Sequence, residues 1–443
     1  MTRRRDAAWV GLLAALALIT AAFVVPPLLG WEVYARAPRA RGGGVPPLHG
    51  FWDVKLFGPG TLPAVALALL SWRYAVGLAE RLPWRWLLVT SYAAGVAWLL
   101  SLAFVDGLSG MTRTMDHGYD YLATARGVSD VGAVLESFVE RIPYGHPDNW
   151  TVHVAGHPPG ALLFFVGLVR LGLGGSLAAG MIVTLIGATT TLAVLQTMRT
   201  LGAETMARRA APFLVLTPAA IFAAVSADGM FAAVAAWGLA ALAVAATRER
   251  RAVAVAWSLV AGLLLGACVM MSYGLALLAF LALAVLALAR SWLPLPVAAA
   301  AAMAVVLGFA AFGFAWWEAY PVLHDRYWDG TAAKRPAAYW MWGNLAALLL
   351  CAGPALGAGL GRLVALRGRA DRVVIWLVLG AGAAIAVADL SRMSKAEVER
   401  IWLPFVPWLL LSTTLLPDRW RRPALALQVV TALLLQHLQF TSW

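Results

Sequence analysis

The 443-residue sequence predicts an all-α protein that crosses a lipid bilayer about thirteen times, and three observations carry that prediction. Hydrophobic residues make up 62% of the chain and charged residues only 13%, more apolar surface than a globular packing in water can hide. Apolar runs recur from Ala8 to the last residues, and a bilayer core about 30 Å thick needs roughly 20 such residues per helix. The runs are built of Ala, Leu, Val and Gly without period-two alternation. Lipid offers no partner for a backbone N–H or C=O, so such runs fold as helices and not as a barrel.

In chain order the segments fall at 7–28, 61–80, 86–106, 177–198, 210–226, 229–247, 252–271, 274–290, 294–317, 341–361, 373–390, 401–416 and 423–439. The first follows Arg3, Arg4 and Arg5 and resembles a signal peptide, with Ala35-Arg36-Ala37 resembling a cleavage site. Its apolar run exceeds the core of a typical signal peptide, so a retained helix is expected. The loop from Gly30 to Gly60, with Gly42-Gly43-Gly44 and Pro46-Pro47, carries a basic excess of Arg36, Arg39, Arg41 and Lys55. Anionic lipid headgroups are the one physical account the sequence offers for it. Cys268 and Cys351 lie inside apolar runs and read as small hydrophobes, with no disulfide framework.

One further stretch, from His157 to about Leu173, opens His-Pro-Pro-Gly and is interrupted by Arg170. If it crossed the membrane, every later loop would change sides. Taken as non-spanning, it leaves 20 of the chain's 34 basic residues on the inside with six acidic ones, and 14 basic with 16 acidic outside. Making it span would send the Arg208-Arg209, Arg248 to Arg251 and Arg367 to Arg369 clusters outward, against the positive-inside rule. The formal charge of +12 is therefore positive-inside asymmetry, and no nucleic-acid partner is implied. The reading is a multi-pass protein of the cell membrane with a cytoplasmic N-terminus.

The outer face then holds three polar regions: residues 106–157, the loop 318–340 and the stretch 389–400. Aromatic residues at the boundaries, Trp316, Trp317, Trp328, Trp340, Trp342 and Trp402, fit an interface belt. Val131, Val134, Leu135, Phe138 and Val139 fall on one side of a segment from Val128 to Ile142, which predicts an amphipathic helix on the membrane surface, ended by Pro143.

Within these regions lie the residues able to carry chemistry. Asp116 and Asp120 stand four apart, on one face if their stretch is helical, and a desolvated carboxylate is a better base; as ordinary loop acids they would cap the next helix. Asp228 sits between two apolar runs, where a carboxylate is costly unless paired or used; the plain alternative is a cap in a tight turn. His157 precedes a proline-started helix, whose N-terminus favours anions. Arg392, Lys395 and Arg400 place cations on the face where the charge rule disfavours them, which asks for an anionic partner; Glu397 and Glu399 are the plain alternative for Arg400. Arg326, Lys334 and Arg335 form a second, weaker cationic group.

The stretch Asp116 to Arg126 (DHGYDYLATAR), the His157 to Gly160 start and Asp228 together resemble the GT-C superfamily of membrane glycosyltransferases, such as the protein O-mannosyltransferases and the aminoarabinose transferases of lipid A. HVAGHPPGALL and MSKAEVERIWLPF also look like a group of uncharacterised actinobacterial membrane proteins placed loosely there. The resemblance covers about residues 86–250; the second half is similar mainly in hydropathy. The family's Asp-Glu pair is Asp116-His117 here, so either Asp116 or Asp120 aligns with its base, and two helices precede the acidic-loop helix where the family has one.

The resemblance implies an inverting transferase that moves a sugar from a polyprenyl-phosphate donor to an acceptor hydroxyl on a glycan, lipid or protein, outside the cytoplasm. Asp120 or Asp116 would be the base, Asp228 would orient the acceptor, and His157, Arg400, Lys395 and Arg392 would bind phosphate. No cofactor is implied, and a divalent metal stays open. The chain divides into an N-terminal helix pair (1–85), a catalytic core (86–250) and C-terminal helices (251–443). The competing readings are a transporter or lipid-linked-glycan flippase, which predicts inverted repeats and mid-membrane charges, and a non-catalytic scaffold. No Walker loop, dinucleotide fingerprint or zinc motif is present.

Overall fold

Lipid solvation dictates a bundle of long helices, and the computed structural model has that architecture. It describes residues 2–36 and 44–441, with side chains from residue 7 onward; Ala37, Arg39, Arg41, Gly42 and Gly43 lie outside the described residues. All thirteen predicted segments are helical over at least part of their length. Among the described residues, eight helices are long and apolar enough to cross a membrane: Ala7–Leu29, Thr61–Arg81, Trp84–Asp116, Ser176–Thr200, Ala227–Thr247, Arg251–Met271, Pro294–Ala311 and Arg372–Leu390. A ninth crossing results if Ala337–Ala352 and Ala355–Leu366, bent by 106° about Gly353, count as one.

The remaining predicted segments are interrupted for local reasons. The 210–226 stretch carries Pro212 and Pro218 and divides into Glu204–Val215 and Ala220–Ala223. Pro404 and Pro407 fall in 401–416, which winds as Val406–Leu410 and a 3-10 turn Leu411–Leu415. The Asp418–Leu438 helix is 21 residues long but opens on Asp418, Arg419, Arg421 and Arg422. At Gly353, φ is +87° and a proline follows, so the bend has a backbone cause.

Close helix crossings follow the small residues. The first helix meets Ala355–Leu366 through Gly11 against Gly357 and Gly361, where an added Cβ would strike main-chain oxygens. Gly262 and Gly266 of Arg251–Met271 do the same against Ala298 and Ala302. The only strand pairing among the described residues is antiparallel, Phe51–Trp52 with Gln439–Phe440.

Polar contacts sort the loops into two ends of the bundle. At one, Arg208 donates to the carbonyls of Ala79 (3.1 Å) and Leu82 (2.8 Å), satisfying the C-terminal turn of Thr61–Arg81. There Arg199 and Arg208 lie 4.6 and 5.7 Å from the Trp84 ring centroid, Arg209 pairs with Asp418 at 2.9 Å, and Arg421 pairs with Glu80. The other end gathers residues 106–157, 318–340 and 389–400. Here Lys55 pairs with Asp106 and Arg36 lies over the Phe51 ring, which gives part of the basic excess of the 30–60 loop an account within the protein.

The predicted amphipathic helix is shorter than its apolar stripe. It is α-helical only over Val131–Glu136, N-capped by Asp130, and the chain then runs through turns to Ile142. Its stripe faces protein: Phe138 is fully buried, packed edge-on to Phe314 and against Trp150. Arg326, from the 318–340 loop, closes the same unit by donating to the carbonyls of Ile142 and Trp150.

Candidate active site

Asp228 lies in the first turn of Ala227–Thr247, with 6% of its surface exposed. Ser226 caps that helix: its hydroxyl accepts the Asp228 N–H and donates to Asp228 Oδ2, both at 3.2 Å. A carboxylate here meets the positive end of the helix dipole. Arg400 enters on the short helix Val398–Ile401 and sets Nε 2.7 Å and Nη2 2.5 Å from that same Oδ2. Burial works against the guanidinium's charge, but Asp228 and Asp120 outweigh it and hold Arg400 above the usual arginine value. Arg400 thus takes Asp228; Glu397 pairs with Arg335 (2.9 Å), and Glu399 accepts the His49 N–H at 2.8 Å.

Asp116 and Asp120 do not share a helix face. The Gly107–Asp116 helix stops because His117 is extended and Gly118 leads into a turn; Asp120 then N-caps the next helix, Tyr121–Ala125. Asp116 is exposed and accepts a hydrogen bond from Ser176. Asp120 is 1% exposed, with Oδ1 accepting from the Tyr121 N–H at 2.6 Å and Oδ2 3.8 Å from His153 Nδ1. The capping role and burial coexist in one side chain.

His157 precedes the Gly160–Arg170 helix, whose 11 residues are about half a bilayer span. Gly160 seats this helix against the backbone of Met270, where a Cβ would collide. His157 Nδ1 lies 2.8 Å from the His153 carbonyl, which can only accept, so Nδ1 carries a proton. Burial pushes the imidazole below its ordinary value, against the pull of Asp228. With Nδ1 committed to that carbonyl, Nε2 is the ring nitrogen left to meet a ligand.

The predicted cations separate. Arg392 is exposed, with φ of +58°. Lys395 is buried at 4% exposure; its Nζ donates to the Arg335 carbonyl at 2.9 Å and lies 4.4 Å from the Trp328 ring centroid. Arg335 returns bonds to the carbonyls of Lys395 (2.6 Å) and Tyr34 (3.1 Å), and Asn344 binds Asp389, the Ser394 carbonyl and the Ala396 N–H. Lys395, Arg335 and Asn344 are thus a clasp on the stretch that delivers Arg400. Arg326 and Arg335, the weaker cationic group, are likewise committed to carbonyls, and Lys334 is exposed.

Beside the Asp228–Arg400 pair opens an apolar cavity of about 70 Å³ between the helices, lined by Gly95, Leu99, Gly187, Gly229, Leu403 and Leu410 among others. Of its lining, Gly229 follows Asp228 in the chain and Leu403 lies three residues beyond Arg400, while neither Asp228 nor Arg400 lines it. Among the described residues no group of three or more His, Cys, Asp or Glu is placed to hold a metal ion.

Sequence reasoning missed Tyr121, His153 and Ser226. The His153-x-x-x-His157 spacing was visible and would place both rings near one another on a helical turn. Tyr121 lay inside the Asp116 to Arg126 stretch, but nothing there marked its hydroxyl. No family model, curated protein or solved structure matches the chain.

Proposed function

We propose that the protein is a membrane glycosyltransferase of GT-C type, transferring a sugar from a polyprenyl-phosphate donor to an acceptor hydroxyl on the extracytoplasmic side of the cell membrane, with inversion. The observation that carries this reading is the buried Asp228–Arg400 pair, with Asp120 and His157 beside it, among helices that are otherwise apolar. A buried charged centre set among apolar helices suits a ligand with an anionic head and a hydrocarbon tail. The thirteen apolar segments, the arginine-rich opposite end and the non-spanning His-Pro-Pro-Gly helix fit the same arrangement.

In this mechanism the acceptor oxygen attacks the anomeric carbon as the carbon–oxygen bond to phosphate breaks, and the phosphate leaves with the electron pair. The acceptor proton passes to Asp120, a step worth roughly 10² to 10⁴ in rate. Asp228 orients the acceptor, and Arg400 stabilises the charge growing on the leaving phosphate. The test is purified protein in lipid nanodiscs supplied with polyprenyl-phosphate sugars, alongside lipid and glycan profiling of a deletion strain. A missing linkage with accumulated donor supports the reading; an unchanged profile with no transfer in vitro removes it.

One observation favours a second reading. The 106° break at Gly353 puts an interrupted helix inside the bundle, a construction used by transporters. Movement of a lipid-linked glycan across proteoliposomes, without any change of its linkage, would select that reading.

A further inference from the structure

Tyr121 is 1% exposed, and its phenolic oxygen has no hydrogen-bond partner. The ring cannot turn to find one. It stacks on Phe165 with centroids 5.7 Å apart and planes 6° apart, meets His157 edge-on at 5.7 Å, and touches Phe231 and His153, each at 6.4 Å. An unmade buried hydroxyl bond is costly, and native interiors rarely leave one. The charges that act on this phenol are Asp228, Asp120 and Arg400, so its surroundings are those of the candidate site. Burial, together with both carboxylates, raises its ionisation well above the ordinary tyrosine range and keeps it a neutral O–H.

We infer that Tyr121 is a fixed hydrogen-bond donor for a phosphate oxygen of the ligand at the Asp228–Arg400 pair. The inference rests on the proposed reading of that site. The aromatic clamp holds the phenol where protein acceptors do not reach it, which leaves its hydroxyl to a bound ligand in this reading. Phosphate fits better than a neutral hydroxyl: Arg400 shares the same surroundings, and bonds to charged acceptors are the stronger kind. With Arg400 supplying charge and Tyr121 direction, two groups from distant parts of the chain would hold one head group.

The test uses full-length protein in detergent and Tyr121→Phe, which removes one oxygen and keeps every ring contact. Thermal unfolding midpoints are measured alone, with inorganic phosphate and with farnesyl phosphate over a concentration series. The expected result is an unliganded midpoint equal to or above the parent's, since an unmade bond is deleted, with farnesyl phosphate affinity reduced about 10- to 100-fold. Equal affinity for farnesyl phosphate in parent and variant overturns the inference while leaving the site reading intact. A lowered unliganded midpoint with unchanged affinity also overturns it, by showing a structural bond. A parent that responds to neither probe overturns the site reading and the inference together. A response to inorganic phosphate as strong as to farnesyl phosphate keeps the donor role and assigns the ligand to free phosphate.

Discussion

Arg400 reaches across 172 positions of the chain to set Nε 2.7 Å and Nη2 2.5 Å from a single oxygen, Oδ2 of Asp228. Breaking a buried pair by removing one partner strands the other charge, whereas replacing both with apolar groups does not. Asp228→Asn and Arg400→Met are each expected to lose about 3–5 kcal/mol of stability. The double replacement Asp228→Leu with Arg400→Met should recover most of the thermal midpoint and remain inactive. A double variant as unstable as the singles contradicts the pairing as the source of the loss.

The two aspartates of the first acidic region are expected to behave differently. Asp120→Asn should lower sugar transfer at least 100-fold, since its carboxylate is buried beside His153. Asp116→Asn, altering an exposed group bonded to Ser176, should keep activity within a few-fold of the parent. Initial rates with a lipid-linked sugar decide it, and the reverse order moves the base to Asp116.

Stability should fall as the medium becomes mildly acidic. Burial lowers the imidazole of His157 against the pull of Asp228; burial, aided by His153, lowers that of His117 against Asp120. Each ring then binds fewer protons folded than unfolded below its unfolded value of about 6.5, so this contribution is complete above that value and declines toward the lower folded ones. Thermal midpoints between pH 7.5 and 5.5 should show a shallower decline in His157→Gln and in His117→Gln than in the parent. Parallel profiles for all three proteins count against it.

Asn344 is buried at 1% exposure and ties Asp389, Ser394 and Ala396 together with bonds of 2.8, 3.0 and 3.1 Å. Asn344→Leu should cost about 1–3 kcal/mol and, although it leaves the site residues in place, reduce activity by releasing the stretch that aims Arg400. Proteolysis between 389 and 400 should quicken in parallel. Lost stability with full activity would show the clasp to be structural alone.

What could be read in advance divides along physical lines. Hydropathy reports solvent, so all thirteen segments were visible as at least partly helical, and charge asymmetry supplied the expected sides of the membrane. Helix breaks at Gly353 and around Pro218 are set by packing or by single residues that a bilayer tolerates, and they were read through. Asp228 and Arg400 stood out because charge among apolar residues is rare. That they meet was not legible, since no local pattern links positions so far apart. Lys395 looked the equal of Arg400 in sequence; only the Arg335 carbonyl waiting for its ammonium distinguishes them. Tyr121 was invisible because its significance is an absence, a hydroxyl left without a partner.

The glycine crossing of the first helix bears on how this protein can be handled. Gly11, Gly357 and Gly361 bring two backbones together with no room for a side chain between them. A leader sequence needs only to be greasy, and many will substitute for one another. This segment must also be thin on one side. Exchanging residues 7–29 for a generic hydrophobic anchor, a common step when adapting a membrane protein for expression, should yield a chain that inserts and yet leaves the Ala355–Leu366 helix without its mate. A swap that carries Gly11 across in register is the version that should assemble.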